Sequence, residues 1–514
     1  MKKLLVSLLT IASIFSLSAC NNSSSNASSS SSSSESVSTS SRHVGPISSS
    51  SKTTSSSSQV TNVSHFAYSE NDDGTLTLTR YNYDDATEPQ TCKIPSSING
   101  KTVTGIGERC FFYAGGITNI EIPSTITSID EKAFGECITI VSIKVDASNK
   151  NYVVDGGVLY DINKTTLIYC PTLLNKDIKM PSTVTSIGGY AFYGSKLRNH
   201  TITWSENVKT IGDYAFYKSD IATINLPDSV TSCGDEAFAY SYVTTLHLST
   251  SLTHIGSLCL TFLQYLKTLT VPGSLKVIPS QSISNNVRLS TLILEEGVEE
   301  LEDSAFTYNK LVKDVTFPST LKRIGKHACA YFGYMENLVI PEGVEEIADE
   351  AFVYGENLAT VSLPASLKSM GEGVFAYSQK LYKITISESS TSFTLNDGVL
   401  YTKDNTRLLC YPSRLNKDAT VTSYSVPEGT TQIDATAFAY ATYLKTLSLP
   451  SSITRIGYSA LYSSSVKTLN INMSEGAWNN VTKTQETATS SDGSTEVVSV
   501  WNTGFNGTIN YNND

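Results

Sequence analysis

The chain has 514 residues, of which 17% are charged, and carries a formal net charge of -11. That acidic balance excludes a sequence-independent grip on nucleic-acid phosphates, which needs a basic face. The 28 tyrosines and the abundant Ser and Thr describe a β-rich protein suited to the outside of a cell rather than a cytosolic enzyme.

In chain order, the first feature is MKKLLVSLLTIASIFSLSAC, with Lys2 and Lys3, an apolar run from Leu4 to about Leu17, and small residues before Cys20. This is the layout of a secretory signal peptide over residues 1–19, and its apolar run is too short to span a bilayer comfortably. The ending LSAC resembles the lipobox of bacterial lipoproteins. That resemblance implies cleavage before Cys20, diacylglycerol on its thiol and attachment to the membrane there, with several acyl chains giving a firmer anchor than one. Residues 20–64 are mostly Ser and lack the apolar area to offset chain entropy, so they form an expected disordered tether. Its mean reach is about 35–40 Å. No other stretch suggests a membrane span.

From Pro95 onward a rung repeats. Pro318, Pro341 and Pro364 are spaced by 23 residues, as are Pro427 and Pro450. Around each Pro the pattern is an alternating apolar strand end, then two spaced apolar residues, then Ala-Phe. Leu358, Val361 and Leu363 point one way at period two, and Leu367, Met370, Val374 and Phe375 fill the interior as the chain turns back. One such coil cannot bury its own apolar edge and has to stack on neighbours, which defines a repeat solenoid.

This rung resembles the BspA-like (treponemal-type) leucine-rich repeats of bacterial surface proteins. IPSSINGKTVTGIGERCFF from Ile94 looks like that family's first coil, and FAYSENDDGTLTLTRYN from Phe66 like its N-terminal cap hairpin, with Gly74 in the turn. DGGVLYDINKTTLIYCP from Asp155 and DGVLYTKDNTRLLCYP from Asp397 look like its recurrent inserted hairpin, and SEGAWNNV with VWNTGFNGTINYNND like its C-terminal closure. The resemblance implies a right-handed stack of coils with one parallel β-sheet of short strands and irregular or short-helical return segments. Two inserted β-hairpins and two terminal caps complete it. The corresponding organisation is a cap hairpin at 65–92, repeats at 93–471 with insertions at about 145–180 and 387–426, and a C-terminal cap at 472–514. Cys110 and Cys259 stand where the rung has Ala, and Leu260, Cys329 and Leu461 where it has Phe; all are apolar exchanges.

Candidate chemistry is sparse. VIPEGVEEIADEAFVYGENL places Glu342, Glu345, Glu346, Asp349 and Glu350 around interior Val344, Ile347 and Phe352, and Glu295, Glu296, Glu299, Glu300, Glu302 and Asp303 do the same two coils earlier around Val298, Leu301 and Phe306. Other rungs carry Ser, Thr, Lys or Gly there. The acids therefore read as a solvated face that the fold does not need, with a weak cation site between coils or paired catalytic carboxylates as the alternatives. Eight cysteines follow Cys20, and Cys110, Cys233, Cys259 and Cys329 fall on interior positions, where a thiol packs as a small hydrophobe; one or two bridges are the alternative. None of the six histidines has a His or Cys at metal-ligand spacing. There is no G-x-S-x-G, H-E-x-x-H or Gly-rich phosphate loop. The expectation is a non-enzymatic protein without metal or cofactor.

Two surfaces remain. The outward strand positions read Thr223, Asn225, Thr245, His247, Thr268, Thr270, Thr316, Asn337, Thr360, Ser362, Thr446 and Ser448, a hydroxyl- and amide-lined face suited to many weak hydrogen bonds, or simply the residues that strands in water favour. Two residues past the rung Phe or its substitute stand Tyr113, Tyr240, Tyr308, Tyr331, Tyr354, Tyr377 and Tyr440, either partly buried rings packing on one another or an aromatic platform for sugars and partner side chains. The family resemblance implies adhesion to host or microbial macromolecules, an extracellular protein or glycan, by a chain expected to be monomeric. A glycan- or peptide-capture module for nutrient uptake and a ligand-free envelope spacer are the alternatives.

Overall fold

The structure, a computed structural model, describes residues 63–82, 91–112, 114–417, 422–489 and 495–512. The signal peptide, Cys20, nearly all of the Ser-rich segment and Tyr113 lie outside the described residues. Contacts divide the chain into a larger unit, Asn62–Glu486 with Ser499–Asp514, and a smaller one, Met1–Thr61 with Thr487–Val498. In the smaller unit the described residues belong to strands Gln485–Thr489 and Thr495–Val500, which pair with each other.

The larger unit is a stack of coils, and the coil through Thr360 shows how the rung folds. Thr360–Leu363 is a strand in which Val361 and Leu363 are buried and Thr360 and Ser362 only half so. Pro364 follows and ends the ladder on that side, since it lacks the N–H that Ser387, in the same place one coil later, donates to the Leu363 carbonyl at 3.1 Å. A second strand, Ser369–Met370, turns Met370 inward. The chain then returns through turns that bury Val374 and Phe375.

The return limb is irregular rather than short-helical, one of the two forms expected of it. Most limbs carry two left-handed residues four apart, as at Glu236 and Tyr240 (φ 49° and 58°), Ser304 and Tyr308 (62° and 62°), and Glu350 and Tyr354 (54° and 60°). Left-handed residues stop a helix from propagating. They also turn alternate amides toward the next coil, so that the N–H groups of Glu350, Phe352 and Tyr354 donate to the carbonyls of Glu372, Val374 and Ala376 at 2.9, 3.0 and 2.9 Å. Limb-to-limb bonding satisfies backbone that a buried turn would otherwise leave without partners. The α-helix among the described residues is Glu475–Asn479, capped by the Ser474 hydroxyl on the Ala477 N–H.

The expected single sheet is also divided. Two strand columns run along the stack, and each breaks into several sheets. One break has a direct cause. The residue after the second strand normally donates its N–H to the preceding coil, as Gly256 does to the Cys233 carbonyl (2.9 Å) and Glu302 to the Ile278 carbonyl (3.0 Å). Pro279 occupies that place after Ile278 and has no N–H to offer the Ile255 carbonyl. Accordingly, Val277–Ile278 pairs forward with Glu300–Leu301 but not back with His254–Ile255.

The two insertions are β-hairpins and act as walls between cores. Tyr152–Asp155 pairs antiparallel with Val158–Asp161, and Phe393–Asn396 with Val399–Thr402. Alternation sends successive side chains to opposite sides. Leu159 joins the first core (Phe66 to Tyr169) while Val158 and Tyr160 join the second (Val158 to Leu409). Leu400 joins the second while Val399 and Tyr401 join the third (Val399 to Trp501). The last core is closed by Trp478 and Trp501, edge-on at 5.3 Å. All eight described cysteines are free thiols and seven are buried; burial pushes Cys110 and Cys410 up to about 12, where they are inert hydrophobes at neutral pH.

Candidate binding surfaces

Register turns the strand face into columns. Thr223 lies beside Thr245 and Asn225 beside His247; Thr268 lies beside Thr291, and Thr270 beside Ile293, which in turn neighbours Thr316. Asn337 neighbours Thr360, and Val339 neighbours Ser362; Thr446 and Ser448 stand between Ser423 and Ser425 on one side and Thr468 and Asn470 on the other. Thr223, Asn225, His247, Thr268, Thr270, Thr316 and Asn337 are exposed, whereas Thr245, Thr360, Ser362, Thr446 and Ser448 are half-buried. Some of their polar groups already pair along the column: Thr360 Oγ1 donates to Asn337 Oδ1 at 2.7 Å, and His247 Nδ1 lies 2.7 Å from Asn225 Oδ1.

The columns also contain residues that a list of polar strand positions leaves out. Thr291, Ile293, Lys383, Thr385, Asn470 and Asn510 share the same registers. Val339 is 65% exposed in the midst of them. Counting 23 residues forward or back from each predicted position finds Thr291, Ile293, Val339, Lys383 and Thr385; Asn510 lies beyond the rung spacing and needed the structure.

The tyrosines form stacks on the opposite limb. Tyr308 and Tyr331 are 4.2 Å apart at 15°, Tyr331 and Tyr354 4.6 Å at 11°, Tyr354 and Tyr377 4.5 Å at 7°, and Tyr240 lies 4.5 Å from Phe262. At the second hairpin the stack turns, with Tyr377 and Tyr440 edge-on at 6.2 Å. The rings rest over Ala330, Val353 and Ala376, and burial raises the phenol of Tyr331 well above its ordinary range and that of Tyr440 to about 12. Because each inner ring has a neighbour on both faces, the stack offers hydroxyls and edges outward and no open face for a sugar.

The carboxylates of the acidic coils have structural work, which corrects the reading that the fold has no use for them. Glu342 accepts the Ala365 and Ser366 amides (3.0 and 3.2 Å), Asp349 the Glu372 amide (2.8 Å), Asp303 the Lys326 amide (2.8 Å), and Glu296 the Ser319 amide and hydroxyl (2.9 and 3.0 Å). These bonds from the next coil hold Glu296 below the ordinary carboxylate range. Gly371 stands opposite Asp349, where a Cβ would collide with that residue's nitrogen and carboxylate. Glu300, Asp303 and Glu346 converge on Arg323. Burial pushes the Glu350 carboxyl up, and bonds with His327 and Tyr458 more than reverse this. Among the described residues no group of three or more His, Cys, Asp or Glu side chains is placed to hold a metal ion.

Coils of short parallel strands, walled by hairpins and dressed outside with pairing hydroxyls and amides, define a leucine-rich-repeat solenoid. The family described as BspA type leucine-rich repeat region matches residues 89–176, 160–290, 276–397 and 413–499 in six copies, and the chain belongs to that family. Its members are cell-surface proteins and generally non-enzymatic binding scaffolds. A leucine-rich cell-surface protein of Faecalibacterium prausnitzii is 21% identical, with 83% of this chain and 98% of that one covered and a TM-score of 0.39. A leucine-rich repeat protein of Bacteroides ovatus is 20% identical, covering 81% and 96%, with a TM-score of 0.44. No curated protein sequence matches. No helix among the described residues is long and apolar enough to cross a membrane.

Proposed function

We propose that this chain is a lipid-anchored surface protein, held at Cys20, that adheres to host or microbial macromolecules through its strand face. The observation carrying this reading is the pair of columns headed by Thr268 and Thr270, where Thr268, Thr291 and Asp314 lie in register beside Thr270, Ile293 and Thr316, so polar groups recur from coil to coil on one face. Spaced donors and acceptors of this kind favour an extended partner held by many weak contacts, and display on a tether multiplies them. The family and its surface-protein neighbours suggest a protein-interaction role, and the stacked tyrosine flank lacks the open ring faces that a glycan-capture site would use.

The test is capture of matrix proteins, host-cell glycans and cell-wall fragments on an array by the purified protein and by a Thr268→Lys, Thr270→Lys, Thr360→Lys triple variant. Adhesion predicts retention of a matrix or cell-surface protein by the wild type and its loss in the variant, with the thermal midpoint unchanged. Retention of free oligosaccharides alone would point to uptake, and equal retention by both proteins would place the contact elsewhere.

A further inference from the structure

One edge of the coil stack carries a feature that neither the repeat nor the strand face requires. Just before each buried residue that opens the strand side (Leu197, Val243, Leu266, Leu289, Val312, Met335) comes one solvent-facing position. On five successive coils that position holds Tyr242, Tyr265, Arg288, Leu311 and Tyr334. Tyr242, Tyr265, Leu311 and Tyr334 are exposed by 38, 37, 37 and 56%, and Val287 beside Arg288 by 53%. Elsewhere in the same column stand Lys196, Asp220, Asn357 and Lys380, so the coil does not demand an apolar residue there. Single exposed apolar residues are ordinary; a run of them in one column marks an interaction site.

The run is cationic as well. Arg288 lies over the Tyr265 ring at 4.9 Å and Arg198 lies over it at 5.6 Å, while Lys196 lies 5.8 Å from the Tyr242 ring. Tyr242 and Tyr265 are 5.9 Å apart, tilted by 34°. Arg198 is ion-paired with Asp220 at 2.6 Å, but Arg288 and Lys196 have no carboxylate partner among the described residues. Glu336 lies just past Tyr334 at the far end. In a chain of net charge -11, two unpaired cations against exposed tyrosines form a local reversal of sign.

We infer that the ridge from Lys196 to Tyr334 is a second contact surface, which docks an acidic segment of a partner protein. Charge complementarity sets the sign of that partner. Its being a protein rather than an acidic glycan follows from Val287 and Leu311, which give a sugar nothing to hydrogen-bond but suit apolar side chains, and from the Tyr and Arg content that dominates protein contact energetics. The ridge shares no residue with the strand columns, Tyr242 and Tyr265 standing three positions ahead of Thr245 and Thr268, so substitutions can test the two separately.

The experiment measures binding of the full chain to the random copolymer of glutamate and tyrosine, with the lysine–tyrosine copolymer and heparin as alternatives. Saturable, salt-sensitive binding of the glutamate copolymer is expected, weakened about tenfold by Arg288→Glu. Tyr265→Ala should weaken it as well, and a charge-neutral Thr268→Ala, Thr270→Ala, Thr360→Ala variant should leave it intact. Equal binding by wild type and Arg288→Glu, preference for the lysine copolymer, or retention of heparin without the glutamate copolymer would overturn the proposal. Unchanged thermal midpoints show that the variants are folded.

Discussion

Phe216→Ala is expected to destabilise the second core by about 4–5 kcal/mol, read by chemical denaturation. Phe216 is fully buried between Phe192, 4.8 Å away at 7°, and Phe238, 5.2 Å away at 2°. Truncating a buried Phe costs about 3–5 kcal/mol in lost transfer energy and residual cavity, and the loss of two ring pairs, each worth about 0.5–1.5 kcal/mol, puts this site at the upper end of that range. Neighbouring coils cannot slide in to fill the void, because their limbs are tied by the amides of Phe192, Phe216 and Phe238 to the carbonyls of the next coil. Phe216→Leu should cost about 1–2 kcal/mol, since Leu260 and Leu461 fill the same rung position, fully buried, in this very chain. Equal losses for Ala and Leu would show that the stack is not close-packed.

Asp434→Ala is expected to cost a similar amount, for an electrostatic reason. Its carboxylate, 1% exposed, takes both arms of Arg407: Nε donates to Oδ1 at 2.6 Å and Nη2 to Oδ2 at 2.8 Å. Arg407 also donates from Nη1 to the Met370 carbonyl at 3.2 Å, so one guanidinium links the coil before the second hairpin, the hairpin itself and the coil after it. Removing the acid strands a charge that cannot deprotonate, at a cost of about 3–5 kcal/mol in unfolding the block that follows the hairpin. Arg407→Met gives a different signature. Burial pushes the Asp434 carboxyl up to about 7 even against the pull of Arg407. Without the guanidinium the folded form would hold its proton more firmly still, while the unfolded chain releases it near the ordinary 3.8. The folded state then binds more protons, so the variant should be most stable in acid and lose stability as pH rises above about 4. Asp434→Ala within about 1 kcal/mol of wild type would mean that this junction is held by packing alone.

Much of this architecture could be read from spacing. Ile, Leu and Phe returning every 23 residues fixed which side chains face inward, and Val361, Leu363, Met370 and Phe375 are all buried as that reading requires. Less legible were features with no apolar period. The left-handed pairs such as Glu350 and Tyr354 depend on backbone angles that side-chain identity barely marks. Asn286 and Asn309, wholly buried, look polar and therefore external, yet Asn309 Nδ2 donates to the Ile283 and Phe306 carbonyls and its Oδ1 accepts the Asn286 amide. The acids misled in the opposite direction: substitutable by composition, Glu296, Asp303, Glu342 and Asp349 nonetheless bond the next coil's amides. The ridge was legible in principle, since Tyr242, Tyr265, Arg288, Leu311 and Tyr334 share one column. Attention to strand positions alone passes over it.

The rung register is the claim on which both surfaces depend, and paired cysteines test it directly. Thr268 and Thr291 are parallel neighbours, as are Thr270 and Ile293, while Thr268 and Ile293 are offset along the strands. Adjacent strands about 4.8 Å apart lie within disulfide reach. Under mild oxidation, Thr268→Cys with Thr291→Cys should close rapidly and leave the fold intact, and Thr268→Cys with Ile293→Cys should close slowly or not at all. Equal rates for the two pairs, or preferential closure of the offset one, would contradict the coil stack and the outward columns built on it.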